Sequence, residues 1–369
     1  MSKKRKKVVI AAGGTGGHLF PAQALAEELQ KKGIDIVFMG AGLAGNRYFD
    51  RDKYAYQDIP SGTVFRRNVL LIFKSLFHLV KGVKHSLNFL KKEDPDLIVG
   101  FGSFHSFPIL CAARLQNKKV ALFESNAFPG KVNRLFSSSA DYTAVVFPKA
   151  QDHLNGKVVE VAMPVRQAPQ MLSIEAAAGY YGLDPRYPIL LIFGGSQGAL
   201  AMNEYVLNSI ELLKPHDHHF QVIHITGKAE TVDTFKNAYA SLSIKACVKA
   251  FETNMPAAYQ AASFAICRAG AATISELIAY EVPSILIPFP FAADDHQAKN
   301  AHFFHREVKG GVHLPEKGLT KEVLAMEIYR FLDPAQSTLR QMRESINTFK
   351  SSQDKKHLCT LICETLHLK

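Results

Sequence analysis

Two apolar runs in this chain share one grammar: a short, unbroken hydrophobic stretch that stops on a cluster of glycines. Val8-Val9-Ile10-Ala11-Ala12 leads into Gly13-Gly14-Thr15-Gly16-Gly17, and Ile189-Leu190-Leu191-Ile192-Phe193 into Gly194-Gly195-Ser196-Gln197-Gly198. A run without polar alternation suits a parallel strand buried on both faces, and the glycines then form a loop that opens a helix. The first helix is expected to begin near Pro21, a favoured first-turn residue, and to stop at Gly33, with Ile34 to Met39 as the next strand. Strand-loop-helix units recur at Leu97 to Gly102, Val120 to Phe123, Gln221 to Thr226, Phe264 to Cys267 and Ser284 to Pro288. This alternation predicts an α/β protein of parallel sheets with helices on both faces.

Two glycine-ended first strands predict two Rossmann-like domains facing across a cleft, with the linker near Ala162 to Val165. The boundaries drawn on this basis are 1–163 and 164–344. A final helix, roughly Pro334 to His367, is expected to pack back, placing 345–369 on the first domain. Ligands in open parallel sheets bind at the carboxyl ends of the strands, so the active site is expected in the cleft.

Composition agrees with this picture and narrows it. A chain of 369 residues, 47% hydrophobic and 21% charged, is globular and long enough for two cores. No apolar run reaches the roughly 18–20 residues of a membrane span. The basic residues Lys3 to Lys7 are followed by too short an apolar stretch for a signal core, so a cytoplasmic protein is expected. Five scattered cysteines read as reduced thiols rather than a disulfide framework. The net charge of +11 calls for an anionic partner: nucleic acid, acidic lipid or a phosphorylated substrate. The basic runs lack interleaved stacking aromatics and the chain has no Trp, which argues against nucleic acid.

Three motifs carry candidate chemistry. In Gly13 to His18, glycines let backbone N–H groups approach a phosphate, and the helix beyond adds a partial positive end. The spacing is neither that of a Rossmann fingerprint nor that of a Walker loop, because no Gly-Lys-Ser/Thr follows. His18 is a candidate general base or phosphate donor, with a helix cap as the plain alternative. Gly194 to Gly198 is a second anion cradle, to which Ser196 adds a hydroxyl. In Cys267-Arg268-Ala269-Gly270-Ala271-Ala272-Thr273-Ile274-Ser275-Glu276, small residues open a helix after a strand, and Glu276 sits about one turn in. A carboxylate there can accept both hydroxyls of a ribose while a diphosphate lies on the helix N-terminus. An ordinary first-turn Glu has the same signature.

Together these residues resemble the MurG family, the N-acetylglucosaminyltransferases of bacterial peptidoglycan synthesis, which have the GT-B fold. The resemblance runs from Lys7 to about Gly311. It rests on Gly13 to His18, Glu124-Ser125-Asn126, Pro164-Val165-Arg166, Gly194 to Ala199, Cys267 to Glu276, Pro288-Phe289, His296-Gln297 and Asn300-Ala301. It implies that Thr15, Gly16 and Gly17 line donor and acceptor phosphates, and that Asn126 and Gln297 hold the donor sugar. It further implies that Arg166 and Ser196 meet the diphosphate, and that Ala271 to Glu276 hold diphosphate and ribose. Gly13, Gly14, Gly102 and Ser103 would take the acceptor phosphates, Glu252 would lie at the base pocket, and His18 would activate the acceptor. The family's usual Gly-Gly-Tyr loop reads Gly102-Ser103-Phe104 here, followed by His105-Ser106-Phe107-Pro108, and Glu252 stands where an apolar residue is common.

The implied reaction is inverting transfer of N-acetylglucosamine from UDP-N-acetylglucosamine to undecaprenyl-diphosphate-linked muramyl pentapeptide, with no cofactor, in cell-wall synthesis. A related GT-B lipid glycosyltransferase or a non-catalytic UDP-sugar-binding membrane adaptor are the alternatives. Between Val64 and Lys92, apolar residues at helical spacing alternate with Arg66, Arg67, Lys74, Lys81 and Lys84. That makes an amphipathic basic stretch able to lie on anionic lipid. With this stretch, the resemblance implies a peripheral position on the cytoplasmic face of the bacterial inner membrane. Asp50-Arg51-Asp52 and Asp94-Pro95-Asp96 match the Asp-x-Asp of metal-dependent transferases only formally, and His216 to His219 follows Pro215 as an exposed turn, so no catalytic metal is expected.

Overall fold

The computed structural model describes residues 5–62, 69–164, 171–195, 198–213, 219–333, 335, 337–353 and 355–368, with the side chains of 69–72 left aside. The chain divides into two compact units, Met1–Arg166 with Lys355–Lys369, and Gln167–Asp354.

The first unit is built on β1 (Lys7–Ala11), β2 (Asp35–Gly40), β3 (Tyr56–Asp58), β4 (Leu97–Gly100), β5 (Val120–Glu124), β6 (Tyr142–Val145) and β7 (Val158–Ala162). Its helices are α1 (Gly16–Lys31), α2 (Val69–Glu93), α3 (Ser103–Leu115) and α4 (Lys131–Phe136). The second unit contains α5 (Ile174–Tyr180), β8 (Ile189–Phe193), α6 (Leu200–Glu211), β9 (Gln221–Ile225), α7 (Val232–Ser241), β10 (Ala246–Lys249) and α8 (Met255–Ala261). It continues through β11 (Phe264–Cys267), α9 (Ala271–Ala279), β12 (Ser284–Leu286), α10 (His296–Phe303), β13 (Gly311–His313), α11 (Lys321–Phe331) and α12 (Ser337–Ser351). The chain then returns to the first unit as β14 (Lys356–His357) and α13 (Leu358–Thr365).

Both sheets are parallel throughout, in the orders β14-β7-β6-β5-β4-β1-β2-β3 and β10-β9-β8-β11-β12-β13. The uninterrupted apolar runs explain this. Val8 to Ala12 and Leu190 to Ile192 have no exposed surface, as strands covered by helices on both faces require. Strand order reverses between β1 and β4 in one sheet and between β8 and β11 in the other. Loops leaving such neighbours splay to opposite faces, so each sheet has its ligand crevice at that point.

The structure departs from the sequence reading at two places. Helix α1 starts at Gly16, with Thr15 as its N-cap residue, rather than at Pro21. The expected single C-terminal helix is two helices broken around residues 352–357. There Lys356 and His357 pair with Val161 and Ala162 to add an eighth strand, and α13 packs against α1 while α12 packs against α9 and α11. In the two Asp-x-Asp triplets, Asp96, Asp94 and Asp50 bind the protein's own groups. Asp96 accepts from Lys6 Nζ at 2.7 Å and from Lys7 N at 2.9 Å, Asp94 pairs with Lys118, and Asp50 accepts from Lys53 N.

Helix α2 packs on α3, with Ser75, Leu79, Gly82, Ser86 and Leu90 buried along it. At Gly82 an added Cβ would stand 2.0 Å from Pro60 O and about 3 Å from the Pro108 ring of α3. Gly82→Ala is therefore expected to destabilise the first unit by about 2 kcal/mol, seen as a lower midpoint in urea titration followed by a probe in that unit.

Candidate active site

In the first unit, Gly13 and Gly14 leave β1 and turn into α1. Gly14 has φ +86°, a conformation glycine adopts freely. Asn46 Nδ2 holds Gly14 O at 2.6 Å, fixing the turn. Thr15 makes no side-chain cap and its carbonyl takes only the His18 and Leu19 N–H groups, so the Gly16 and Gly17 N–H groups are left for another acceptor, and Thr15 and Gly17 are exposed. His18 lies one turn in, its Nδ1 2.8 Å from Phe101 O at the end of β4. A carbonyl only accepts, so Nδ1 carries the hydrogen and Nε2 is the basic nitrogen of the neutral ring.

Across the reversal point, Gly102 (φ +77°) precedes α3, and Ser103 follows with φ +65°. The Ser106 hydroxyl donates to Gly102 O at 2.5 Å and to Ser103 O at 2.9 Å. Thus Gly13, Gly14, Thr15, Gly16, Gly17, His18, Gly102 and Ser103 all border the same crevice of the first sheet. Asn126 follows β5, next along the sheet. Its amide is bound to Glu124, as are Asn126 N, Gly130 N and Asn133 Nδ2. Burial pushes the Glu124 carboxyl up, against these four donors. Glu124 thus shapes the 124–130 loop from within.

In the second unit, Gly195 (φ +82°) and Gly198 (φ +71°) leave β8. Ser196, like Arg166, Arg66 and Arg67, lies outside the described residues. Beside this loop, β11 ends in Cys267 and Gly270 opens α9 without a side-chain cap. Ala272, Thr273, Ser275 and Glu276 are partly exposed, whereas Ala271 and Ile274 are buried, so only the backbone of those two can meet a ligand. Arg268 Nη1 donates to Ile287 O and Pro288 O and pairs with Glu316, tying the end of β11 to that of β12. Asn300 Nδ2 donates to Ala269 O at 3.1 Å, and in the same helix Gln297 Oε1 accepts from Phe289 N at 3.0 Å. These bonds gather Gln297 beside the start of α9.

Three residues without a sequence motif support this site. Tyr259 is buried, stacks on Tyr280 and donates its phenol to Glu276 Oε2 at 2.8 Å. Burial, then the Glu276 charge, pushes the phenol well above its usual range, so it stays a donor. Lys249 binds Glu252 at 2.7 Å, and Glu252 also accepts from Asn254 N. Burial raises the Glu252 carboxyl, but Lys249 and Asn254 outweigh it and hold it below the usual carboxylate range. The Glu252 side chain therefore braces its loop, while neighbouring Phe251 is exposed.

Residues 8–145 match the glycosyltransferase family 28 N-terminal domain and residues 189–357 the family 28 C-terminal domain. A UDP-N-acetylglucosamine--N-acetylmuramyl-(pentapeptide) pyrophosphoryl-undecaprenol N-acetylglucosamine transferase of Protochlamydia amoebophila is 41% identical, over 99% of this chain and 97% of its own. Its namesake in Chlamydia trachomatis serovar L2 is 35% identical over 99% of this chain and 100% of its own. Among solved structures, Acinetobacter baumannii MurG superposes with a TM-score of 0.76 at 26% identity, covering 98% of both chains. With its two parallel α/β sheets of the GT-B class and full-length relatives at this identity, the chain belongs to the MurG family of glycosyltransferases.

Proposed function

We propose that this protein transfers N-acetylglucosamine from UDP-N-acetylglucosamine to the muramyl sugar of an undecaprenyl-diphosphate-linked muramyl pentapeptide, with inversion to a β-1,4 bond. The observation carrying this reading is that each sheet presents uncapped helix N-termini and glycine turns at its own reversal point. One such crevice can take the acceptor's diphosphate and the other the donor's. On the second unit, the N-terminus of α9 offsets charge on the departing UDP, Glu276 accepts the ribose hydroxyls, and Gln297 reaches the sugar. On the first unit, His18 Nε2 takes the proton of the attacking C4 hydroxyl. The relatives' names supply the identity of both substrates.

The acceptor's prenyl chain calls for a lipid surface, and α2 offers one. Phe73, Leu76, Phe77 and Val80 are 66%, 50%, 67% and 62% exposed, in an i, i+3, i+4, i+7 row. Lys74, Lys81 and Lys84 are exposed around them. We place this helix on the anionic membrane face, each lysine adding about 1 kcal/mol. Among the described residues no helix is long and apolar enough to cross a membrane. Phe73→Ser with Phe77→Ser is expected to weaken binding to phosphatidylglycerol vesicles about tenfold or more, measured by co-sedimentation.

The decisive assay follows labelled N-acetylglucosamine from UDP onto a short-chain lipid-linked muramyl pentapeptide, without added metal. Transfer is expected. Hydrolysis of the donor alone, or labelling of a different lipid-linked sugar, would refute the assignment.

A further inference from the structure

The departure at Ser103 and His105 has a structural counterpart. Ser103 stands at φ +65° directly after Gly102 at φ +77°. A non-glycine residue in this left-handed region costs roughly 1–2 kcal/mol. Its hydroxyl has one close side-chain partner, His105 Nδ1 at 2.8 Å. The imidazole in turn lies against the β1 loop: a Cβ on Gly13 would sit 2.7 Å from His105 Cβ, and one on Gly14 would sit 3.1 Å from His105 Nδ1 and 3.7 Å from Ser103 Oγ. Residues after β4 therefore place a hydroxyl and an imidazole over the glycine turn that follows β1.

We propose that Ser103 and His105 form a proton-gated contact to the acceptor's diphosphate, in which a proton on the imidazole commits the Ser103 hydroxyl hydrogen to a phosphate oxygen. This rests on the reading of the β1–β4 crevice as the acceptor-diphosphate site.

A neutral imidazole has one donor and one acceptor nitrogen, so Nδ1 can accept the Ser103 hydrogen and keep it from any ligand. A protonated imidazole has two donors and no acceptor. Nδ1–H must then donate to Ser103 Oγ, and the hydroxyl hydrogen must find another acceptor. The proton comes from solvent and is retained on the ring; no bond to the substrate forms or breaks. A diphosphate esterified at both ends keeps its negative charges across neutral pH and supplies both the acceptor and the field that favours the protonated ring.

The protein groups around His105 by themselves favour the neutral ring. Burial lowers the proton affinity of His105, a proton on His18 of α1 would lower it further, and the Asp58 carboxylate on β3 opposes them. Asp58 is itself held by Gly42 N and Ala44 N. The ring is thus neutral until an anion arrives, and binding takes up a proton. The sign follows: a group whose proton affinity rises on binding strengthens binding at low pH, and the gain is lost as pH rises through its value in the complex. Ser103 contacts the diphosphate in this scheme; His105 acts through it and is a positioning residue.

The test is the dissociation constant of a short-chain diphosphate-linked muramyl peptide, measured by calorimetry at several pH values. The unsubstituted protein, Ser103→Gly, His105→Gln and the double variant are compared, with UDP-N-acetylglucosamine binding as the control. Ser103→Gly relieves the left-handed strain, so an undiminished thermal midpoint confirms its fold. The unsubstituted protein is expected to lose about five- to tenfold in acceptor affinity between about pH 6 and pH 8. The slope is expected to flatten in all three variants, with donor binding unaffected. Identical slopes in all four proteins overturn this inference alone. Absence of acceptor binding by the unsubstituted protein overturns it together with the acceptor-site reading.

Discussion

Replacing His18 by alanine is expected to lower kcat about 10²- to 10⁴-fold, the usual contribution of a positioned general base, while leaving the KM for UDP-N-acetylglucosamine within about twofold. Phe101 O can only accept, so it fixes the proton on Nδ1 of His18 and orients the ring with Nε2 as its basic nitrogen. A base set in this way needs no further tautomer selection when the acceptor hydroxyl arrives. His18→Gln retains a hydrogen-bonding side chain but no basic nitrogen, and is expected to be nearly as slow as His18→Ala. A glutamine variant with nearly full kcat would instead mark His18 as a hydrogen-bond donor to substrate, leaving the proton to another group.

The second large effect is on donor binding. Glu276→Ala is expected to raise the KM for UDP-N-acetylglucosamine about 10- to 100-fold, the loss of hydrogen bonds to a charged group being worth about 1.5–3 kcal/mol. The test that separates ribose recognition from general damage is a 2′-deoxy-ribose donor. The unsubstituted enzyme should discriminate against it, and Glu276→Ala should treat both donors alike. Tyr259→Phe removes the phenol that holds Glu276 Oε2 while keeping the stack on Tyr280. It is expected to raise the donor KM about fivefold, corresponding to about 1 kcal/mol. An unchanged 2′-deoxy preference in Glu276→Ala would remove Glu276 from the ribose.

The residues that border both crevices were legible in the chain because their signals are local. An apolar run stopped by glycine reports a strand end and the loop beyond it, and a carboxylate one turn into the next helix reports the dipole end. What the chain could not show are contacts made by the fold. Nothing near Tyr259 marks it as the partner of Glu276, since the two meet only in the folded unit. His105 touches Gly13 and Gly14 only because β4 lies beside β1 in the sheet. Proline favours a first turn and so points to Pro21, yet α1 begins at Gly16 after an extended Thr15. The C-terminal break was hidden because a two-residue strand such as Lys356–His357 has no periodicity to read. In α2 one face is packed in the core, and another leaves apolar side chains exposed.

Whether the crevice between β8 and β11 holds the donor's diphosphate is tested most directly by a crystal structure with UDP-N-acetylglucosamine bound. Diphosphate oxygens are expected on the backbone N–H groups that open α9, and the ribose hydroxyls on Glu276. A nucleotide seated elsewhere on the chain, with Glu276 far from the ribose, would contradict that placement.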